Sequence, residues 1–389
     1  MSAPSAGRDS VSPPRLESSG GSASSAVGVT ATAIAHPSLA LVKYWGKQRE
    51  GINIPATGSI GVSLAALTTT TTVTVADVDS LEIDGQIQPT DRYRPFFDHL
   101  RREIRRDLRF HVTSRNDFPT AAGLASSASG YAALTVAAFG AAEAVETAQR
   151  GTAATGYAVA ANVTDGTGAT VSARAPAAGE DLSVDRTTLS RVARLGSGSA
   201  SRSVFGGFVR WDAGAETARQ IRDASWWEEV RVVVLPLEMR AKPVSSREAM
   251  NRSRDTSPAY PAWVTDAPPL VERAERAIAR RDLNELGTVM RLSYLRMFST
   301  MISADPPLIY WLPSSVETIH RLEELRRGGI AAWETMDAGP QVKVLVAAGD
   351  VDTVVSATRE LCASPPIVST VGGPATLVPA PPTEESGNG

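Results

Sequence analysis

The chain has 389 residues, of which 42% are hydrophobic and 21% charged, so it is long enough for a large two-lobed enzyme or two to three domain-sized units. A formal net charge of −3 gives no global basic field for nucleic acid or an anionic membrane. A single cysteine, Cys362, excludes an internal disulfide framework and any CxxC metal or redox motif.

Residues 1–28 are Ser/Ala/Gly/Pro-rich and read as a disordered tail with no apolar core of a secretory signal. Order is expected from Val29. "VTATAIAH" alternates and "TTTTTVTVADV" from Thr68 is β-branched, so both read as strands. "DRYRPFFDHLRREIRRDL" from Asp91 reads as an amphipathic helix with a solvated basic face, followed by the short strand "FHVTS". A helix is expected from near Gly123. Its run "YAALTVAAFGAAEAV" from Tyr131 reads as a buried helix, too short to span a bilayer. The Ala/Gly/Thr-rich stretch from about Gln149 to Ser183 reads as a surface insertion, and "TTLSRVARL" as a short helix capped by Thr187 or Thr188. "GSGSASRS", Gly196 to Ser203, reads as a tight connection into a strand from Val204 to Trp211.

The second half reads as the buried strand "RVVVLPL", helices from about Pro261 to Arg280 and Asp282 to Met301, and a helix from Ser314. That last helix places Val316, Ile319, Leu322 and Leu325 on one face and stops at Gly328 or Gly329. Two strands, "IAAWETM" and "VKVLVAA", a helix, and a strand near Ile367 follow; residues 374–389 read as a second tail. This pattern predicts an α+β fold rather than a doubly wound sheet. The predicted lobes are 29–212, carrying the insertion at 149–183, and 213–373.

The segment "NDFPTAAGLASSASGYAAL" from Asn116 carries the main chemical signal. A strand enters a turn of small residues and then a helix. Such a backbone can approach a ligand closely and aims free N–H groups and the positive end of the helix dipole at it. Pro119, Thr120, Ala122, Gly123, Leu124, Ser126 and Ser127 would line a polyphosphate, with Ser129 adding a hydroxyl. The same residues fit a Ser-rich helix cap equally well. No Walker A lysine and no G-x-S-x-G elbow is present. His36, His99, His111 and His320 lack metal-ligand spacing, so no metal site is expected.

Six stretches, "HPSLALVKYWGK", "NDFPTAAGLASSASG", "GSGSASRSVFGGF", "KPVSSREAM", "DTSP" and "TMDAGPQVKVL", stand in the order found in diphosphomevalonate decarboxylases of the GHMP kinase superfamily, which the chain resembles from about Ala33 to Gly373. The resemblance implies a two-lobed fold: an N-terminal lobe like domain 2 of ribosomal protein S5, a ferredoxin-like C-terminal lobe, and the active site between them. It implies ATP-dependent conversion of mevalonate 5-diphosphate to isopentenyl diphosphate, with ATP and Mg²⁺ as co-substrate, no nucleic-acid or membrane partner, a cytoplasmic setting, and compatibility with a homodimer.

By this resemblance, Asp337 faces the 3-hydroxyl, Arg202 meets the substrate carboxylate or an adjacent phosphate oxygen, and Lys43 lies near the reacting groups. Tyr44, Lys47, Ser197, Ser199, Ser246 and Arg247 would hold the diphosphate and Met250 would line the site. Without it, Asp337 reads as a turn former, Arg202 and Arg247 as solvated arginines, and Tyr44 and Trp45 as core aromatics. Lys43 and Lys47 share a face only if their turn is helical. Three positions depart from the family pattern: Ser38 for Asn, Gly58 for a hydroxyl residue, and Gln341 for Asn. The rival expectations are a paralogue acting on mevalonate 5-phosphate, a mevalonate 3-kinase, and a non-catalytic small-molecule binder.

Overall fold

A computed structural model describes residues 26–48, 51–118, 126–149, 158–164, 170–174, 182–240 and 243–379. In chain order the first half runs β1 (Thr30–Ala35), β2 (Ser38–Val42), β3 (Ser59–Ser63), β4 (Thr69–Ala76), β5 (Ser80–Ile83), β6 (Gln86–Ile87), α1 (Arg94–Ile104), β7 (Arg109–Asn116), α2 (Ser126–Gln149), β8 (Ala158–Thr164), β9 (Thr170–Arg174), α3 (Arg186–Gly196), α4 (Ala200–Ser203) and β10 (Phe208–Trp211). The second half runs β11 (Arg219–Arg222), β12 (Val230–Leu235), α5 (Ser246–Thr256), α6 (Tyr260–Arg280), α7 (Leu283–Ile302), α8 (Pro313–Arg327), β13 (Trp333–Met336), β14 (Val342–Ala347), α9 (Val351–Thr358), β15 (Ile367–Ser369) and β16 (Thr376–Val378).

Among the described residues, three sheets and a hairpin result. The first sheet has the order β16-β1-β4-β7-β5-β6, the second β11-β10-β3-β2, and the third β13-β14-β12-β15, while β8 pairs with β9. All pairings are antiparallel except β5 with β7. In β4 the alternation is strict: Thr69, Thr71, Val73 and Val75 are buried and their neighbours half-buried. Its threonines also pair across the ladder, Thr30 with Thr74 and Thr32 with Thr72, hydroxyl to hydroxyl at 2.9 Å.

Helix α2 covers the first sheet, and α6 and α7 lie between the second sheet and the third in one apolar core. Alanines let α2 sit close to the sheet, and Leu377 of β16 packs where a Cβ at Gly140 would stand 2.8 Å from it. Against expectation, α2 is long and apolar enough by composition to cross a membrane; 83% of its most apolar window is buried within the protein, as in a core helix.

Several boundaries differ from the sequence reading. The cap of α3 is Asp185, whose carboxylate accepts from Thr188 N at 2.9 Å, not a threonine. The expected insertion contains the hairpin β8–β9, and the stretch after Gly373 contains β16, which closes the first sheet beside β1. The expected lobe boundary at 212–213 falls between β10 and β11, which are paired strands of one sheet. On α8 the buried positions are Ser315, Thr318 and Leu322, with Val316 38% exposed. Ser315 turns inward because its Oγ donates to Pro340 O at 2.9 Å, and the buried Thr318 hydroxyl is satisfied within the helix by Ser314 O at 2.7 Å. The expected tail at 1–28 is too long by three residues: Ala26 is buried in the core under the first sheet and Gly28 N donates to Val75 O at 2.8 Å, while residues 1–25 and 380–389 lie outside the described residues.

Candidate active site

"GSGSASRS" is not an extended linker. Gly196 closes α3, and residues 200–203 form the single turn α4 with Ser201, Arg202 and Ser203 buried. The turn is tied down by Ser201 Oγ donating to Gly198 O at 2.8 Å and Ser190 Oγ donating to Ser201 O at 2.9 Å. Arg202 is 1% exposed. Its Nε donates to Ser38 Oγ at 3.2 Å and its Nη1 to Ser59 Oγ at 2.9 Å. Burial lowers its pKa to about 10, so it stays a cation at neutral pH. The guanidinium lies across Gly61 of β3, where a Cβ would stand 2.4 Å from Ser38 Oγ and 2.7 Å from Arg202 Nε.

Asp337 follows β13, in the turn to β14. Its carboxylate is 31% exposed and accepts from Lys43 Nζ on Oδ1 at 2.8 Å and from Lys343 Nζ on Oδ2 at 3.1 Å. Burial works to raise its pKa; the two ammonium groups outweigh burial and hold it far below the usual carboxylate range. Lys43 is itself brought down to about 8 by burial, against the pull of Asp337. Helix α7 supports both partners: Ser293 Oγ accepts from Lys43 N at 2.9 Å, and Tyr294 hydroxyl donates at 3.0 Å to Glu334 on β13.

Beside this pair stands Tyr44, its ring 4.9 Å from that of Trp211. Its buried hydroxyl has no hydrogen-bond partner among the described residues. Burial raises its pKa, so it remains a phenol donor, and the charges of Arg202, Arg247 and Arg194 act on it. It lies against Gly198, where a Cβ would meet its oxygen at 2.7 Å. A row of hydroxyls continues from there: Ser199 to Ser197 at 3.3 Å, and Ser197 to Ser127 at the start of α2 at 3.3 Å. Ser126 opens that helix.

The structure therefore brings together Lys43, Asp337, Arg202, Tyr44, Ser127, Ser197 and Ser199. Ser246 and Arg247 are exposed on the first turn of α5, and Met250 is buried one turn on, in the apolar cluster that also holds Trp45. Lys47 is half-buried and bridges to Pro55; the turn from 43 to 46 is not helical, so Lys43 and Lys47 diverge. Trp45 is core, 2% exposed. Pro119, Thr120, Ala122, Gly123 and Leu124 lie outside the described residues.

The three departures acquire local reasons. Ser38 holds Arg202. Gln341 points away from Asp337: its Oε1 accepts from Leu237 N at 2.6 Å and Glu238 N at 3.3 Å, and its Nε2 donates to Glu238 O. A Cβ at Gly58 would press on Val271 Cγ2 at 3.2 Å, so this position is tightly packed against α6. The sequence reading passed over Lys343, Ser59, Ser293 and Gly61. Lys343 carried a signal: a lysine inside the apolar run of β14, every residue of which up to Val346 is buried.

One carboxylate among three buried cations, with a row of hydroxyls alongside, suits a substrate carrying several negative charges. The comparisons with known proteins agree. The model of the diphosphomevalonate decarboxylase-like N-terminal domain matches residues 35–155 and 145–222, and that of the mevalonate 5-diphosphate decarboxylase C-terminal domain matches 232–376. The diphosphomevalonate decarboxylase of Bos taurus is 30% identical over 365 residues, covering 85% of this chain and 80% of its own. The mevalonate diphosphate decarboxylase from Enterococcus faecalis superposes with a TM-score of 0.74 at 31% identity, over 90% of this chain and 99% of its own. A solved complex of the protein designated MDDEF with MVAPP, AMPPCP and magnesium gives 0.75 at 32%, with the same coverage. The chain, an α+β protein of the two-lobed GHMP kinase type, belongs to the diphosphomevalonate decarboxylase family.

Proposed function

We propose that this protein converts mevalonate 5-diphosphate and ATP to isopentenyl diphosphate, ADP, phosphate and CO₂. The observation that carries the reading is the convergence of Lys43, Arg202 and Asp337 from three distant segments on one spot, with Tyr44 and the serine row beside it. Arg202 is held by two serines through two of its five N–H groups, which leaves its fork open for the substrate carboxylate. Tyr44, Ser197 and Ser199 take the diphosphate, with Lys47, Ser246 and Arg247 at its outer end. Ser126 and Ser127, at the N-terminus of α2, fit the phosphates of the co-substrate MgATP.

Asp337 receives the 3-hydroxyl as an acceptor. Held well below the usual carboxylate range, it orients the hydroxyl more than it deprotonates it beforehand, and its carboxylate takes the proton as the phosphoryl group arrives. Phosphate then departs from C3 with the C–O bonding pair. Positive charge develops at that carbon, and the pair of the bond to the carboxylate closes the alkene as CO₂ leaves. The diphosphate beside C3 stabilises the charge.

We place the division of the lobes between Arg222 and Val230, after the second sheet is complete, and the reaction in the cytoplasm. The test supplies MgATP with mevalonate, its 5-phosphate or its 5-diphosphate and follows ADP, phosphate and CO₂ together. The expected result is all three products, fastest with the 5-diphosphate. ADP without CO₂ refutes decarboxylation, and preference for the 5-phosphate refutes the substrate.

A further inference from the structure

Lys43 and Lys343 grip the same carboxylate, one on each oxygen, but they are anchored differently. Lys43 follows Val42, the last paired residue of β2, and continues into a non-helical loop. Lys343 sits inside β14 with a paired strand on either side, opposite Thr335 of β13 and Val234 of β12. The backbone of a central strand has no freedom to swing. One ammonium is enough to balance Asp337, and burying a second, here 3% exposed, is costly unless it has a task.

We propose that Lys343 is a positioning residue: the fixed counter-ion that keeps Asp337 ionised and aimed, so that Lys43 can leave Oδ1 for the phosphoryl oxygens as they reach the 3-hydroxyl. Among the described residues, the charged groups facing Asp337 are Lys43, Lys343 and Arg202. Glu334, three residues earlier on β13, is occupied by Arg291, Tyr294 and Arg326. The inference rests on the decarboxylase reading. Wild-type enzyme inactive on mevalonate 5-diphosphate refutes that reading, and this arm is run before any variant.

The experiment compares wild type, Lys343→Met and Lys343→Arg in steady-state kinetics, with folding checked by thermal melting. Lys343→Met is expected to lower kcat about 100-fold while both KM values stay within about threefold, because the substrates still bind but the carboxylate is no longer aimed. Lys343→Arg keeps the charge and is expected to hold kcat within about tenfold of wild type. The proposal is overturned if Lys343→Met keeps kcat within about threefold of wild type, or loses activity chiefly through a rise in either KM. If Lys343→Met does not fold, Lys343→Arg decides alone: kcat within about tenfold of wild type supports the proposal and a larger loss overturns it.

Discussion

Gly61→Ala adds one methyl group at a position that looks unremarkable in "SIGVS" and should disable the enzyme. The new Cβ would stand 2.4 Å from Ser38 Oγ and 2.7 Å from Arg202 Nε, where ordinary contacts begin at 3.4 Å. Arg202 must therefore retreat by about 0.7 Å, and it cannot do so without stretching its bonds to Ser38 and Ser59. Overpacking of this kind costs about 1–3 kcal/mol, and a weakened hydrogen bond to a charged group adds about 1.5–3 kcal/mol if lost. A destabilisation of about 3 kcal/mol lowers the melting temperature by roughly 4 °C in a chain of this size. A displacement approaching 1 Å at a group that fixes the substrate costs about 100-fold in rate. Calorimetry and the coupled ADP and CO₂ assay read both quantities on one preparation. A variant that melts with the wild type and turns over at its rate would show that Arg202 is not held across Gly61, and the reasoning fails.

Tyr44→Phe removes a buried hydroxyl with no partner among the described residues, so its melting temperature should equal or exceed that of wild type while KM for the 5-diphosphate rises about 10-fold or more. An unchanged KM counts against Tyr44 as a substrate donor. For Lys43, whose pKa burial lowers to about 8, the ammonium is present below that pH and lost above it. The profile of log kcat/KM should therefore bend downward near pH 8, and Lys43→Arg should remove the bend from the neutral range; a bend shared by both proteins argues against Lys43 as its source. Gln341→Ala leaves two backbone N–H groups, of Leu237 and Glu238, without their acceptor, at about 1–3 kcal/mol for each that stays buried. A clear drop in melting temperature is expected, with KM for both substrates little changed.

Much of the fold is legible because long periodic segments are set by local preference. The pattern placed β12, α6 and α7 nearly to the residue. What it missed was decided by tertiary contacts. The turn around Arg202 is helical because Ser190 and Gly198 tie it and the guanidinium is drawn under β3, and no four-residue sequence announces that. Asp185 and the threonines after it are all good caps, and the register of α3 selected the aspartate. Asp337 and Arg202 were readable only through the family resemblance, since by residue type alone they read as a turn former and a solvated arginine. The site was unreadable where the contribution is an absence, as at Gly61, or where a lysine is hidden in an apolar strand, as at Lys343.

Strand β16 has a consequence for the way this protein is made. It is the last of the described strands to be synthesised, yet it lies at the edge of the first sheet against β1, the earliest, with Leu377 opposite Ala33. A nascent chain on the ribosome must hold β1 with one side of its ladder open until Val378 has emerged. For that interval the edge is a candidate for chaperone capture or mispairing.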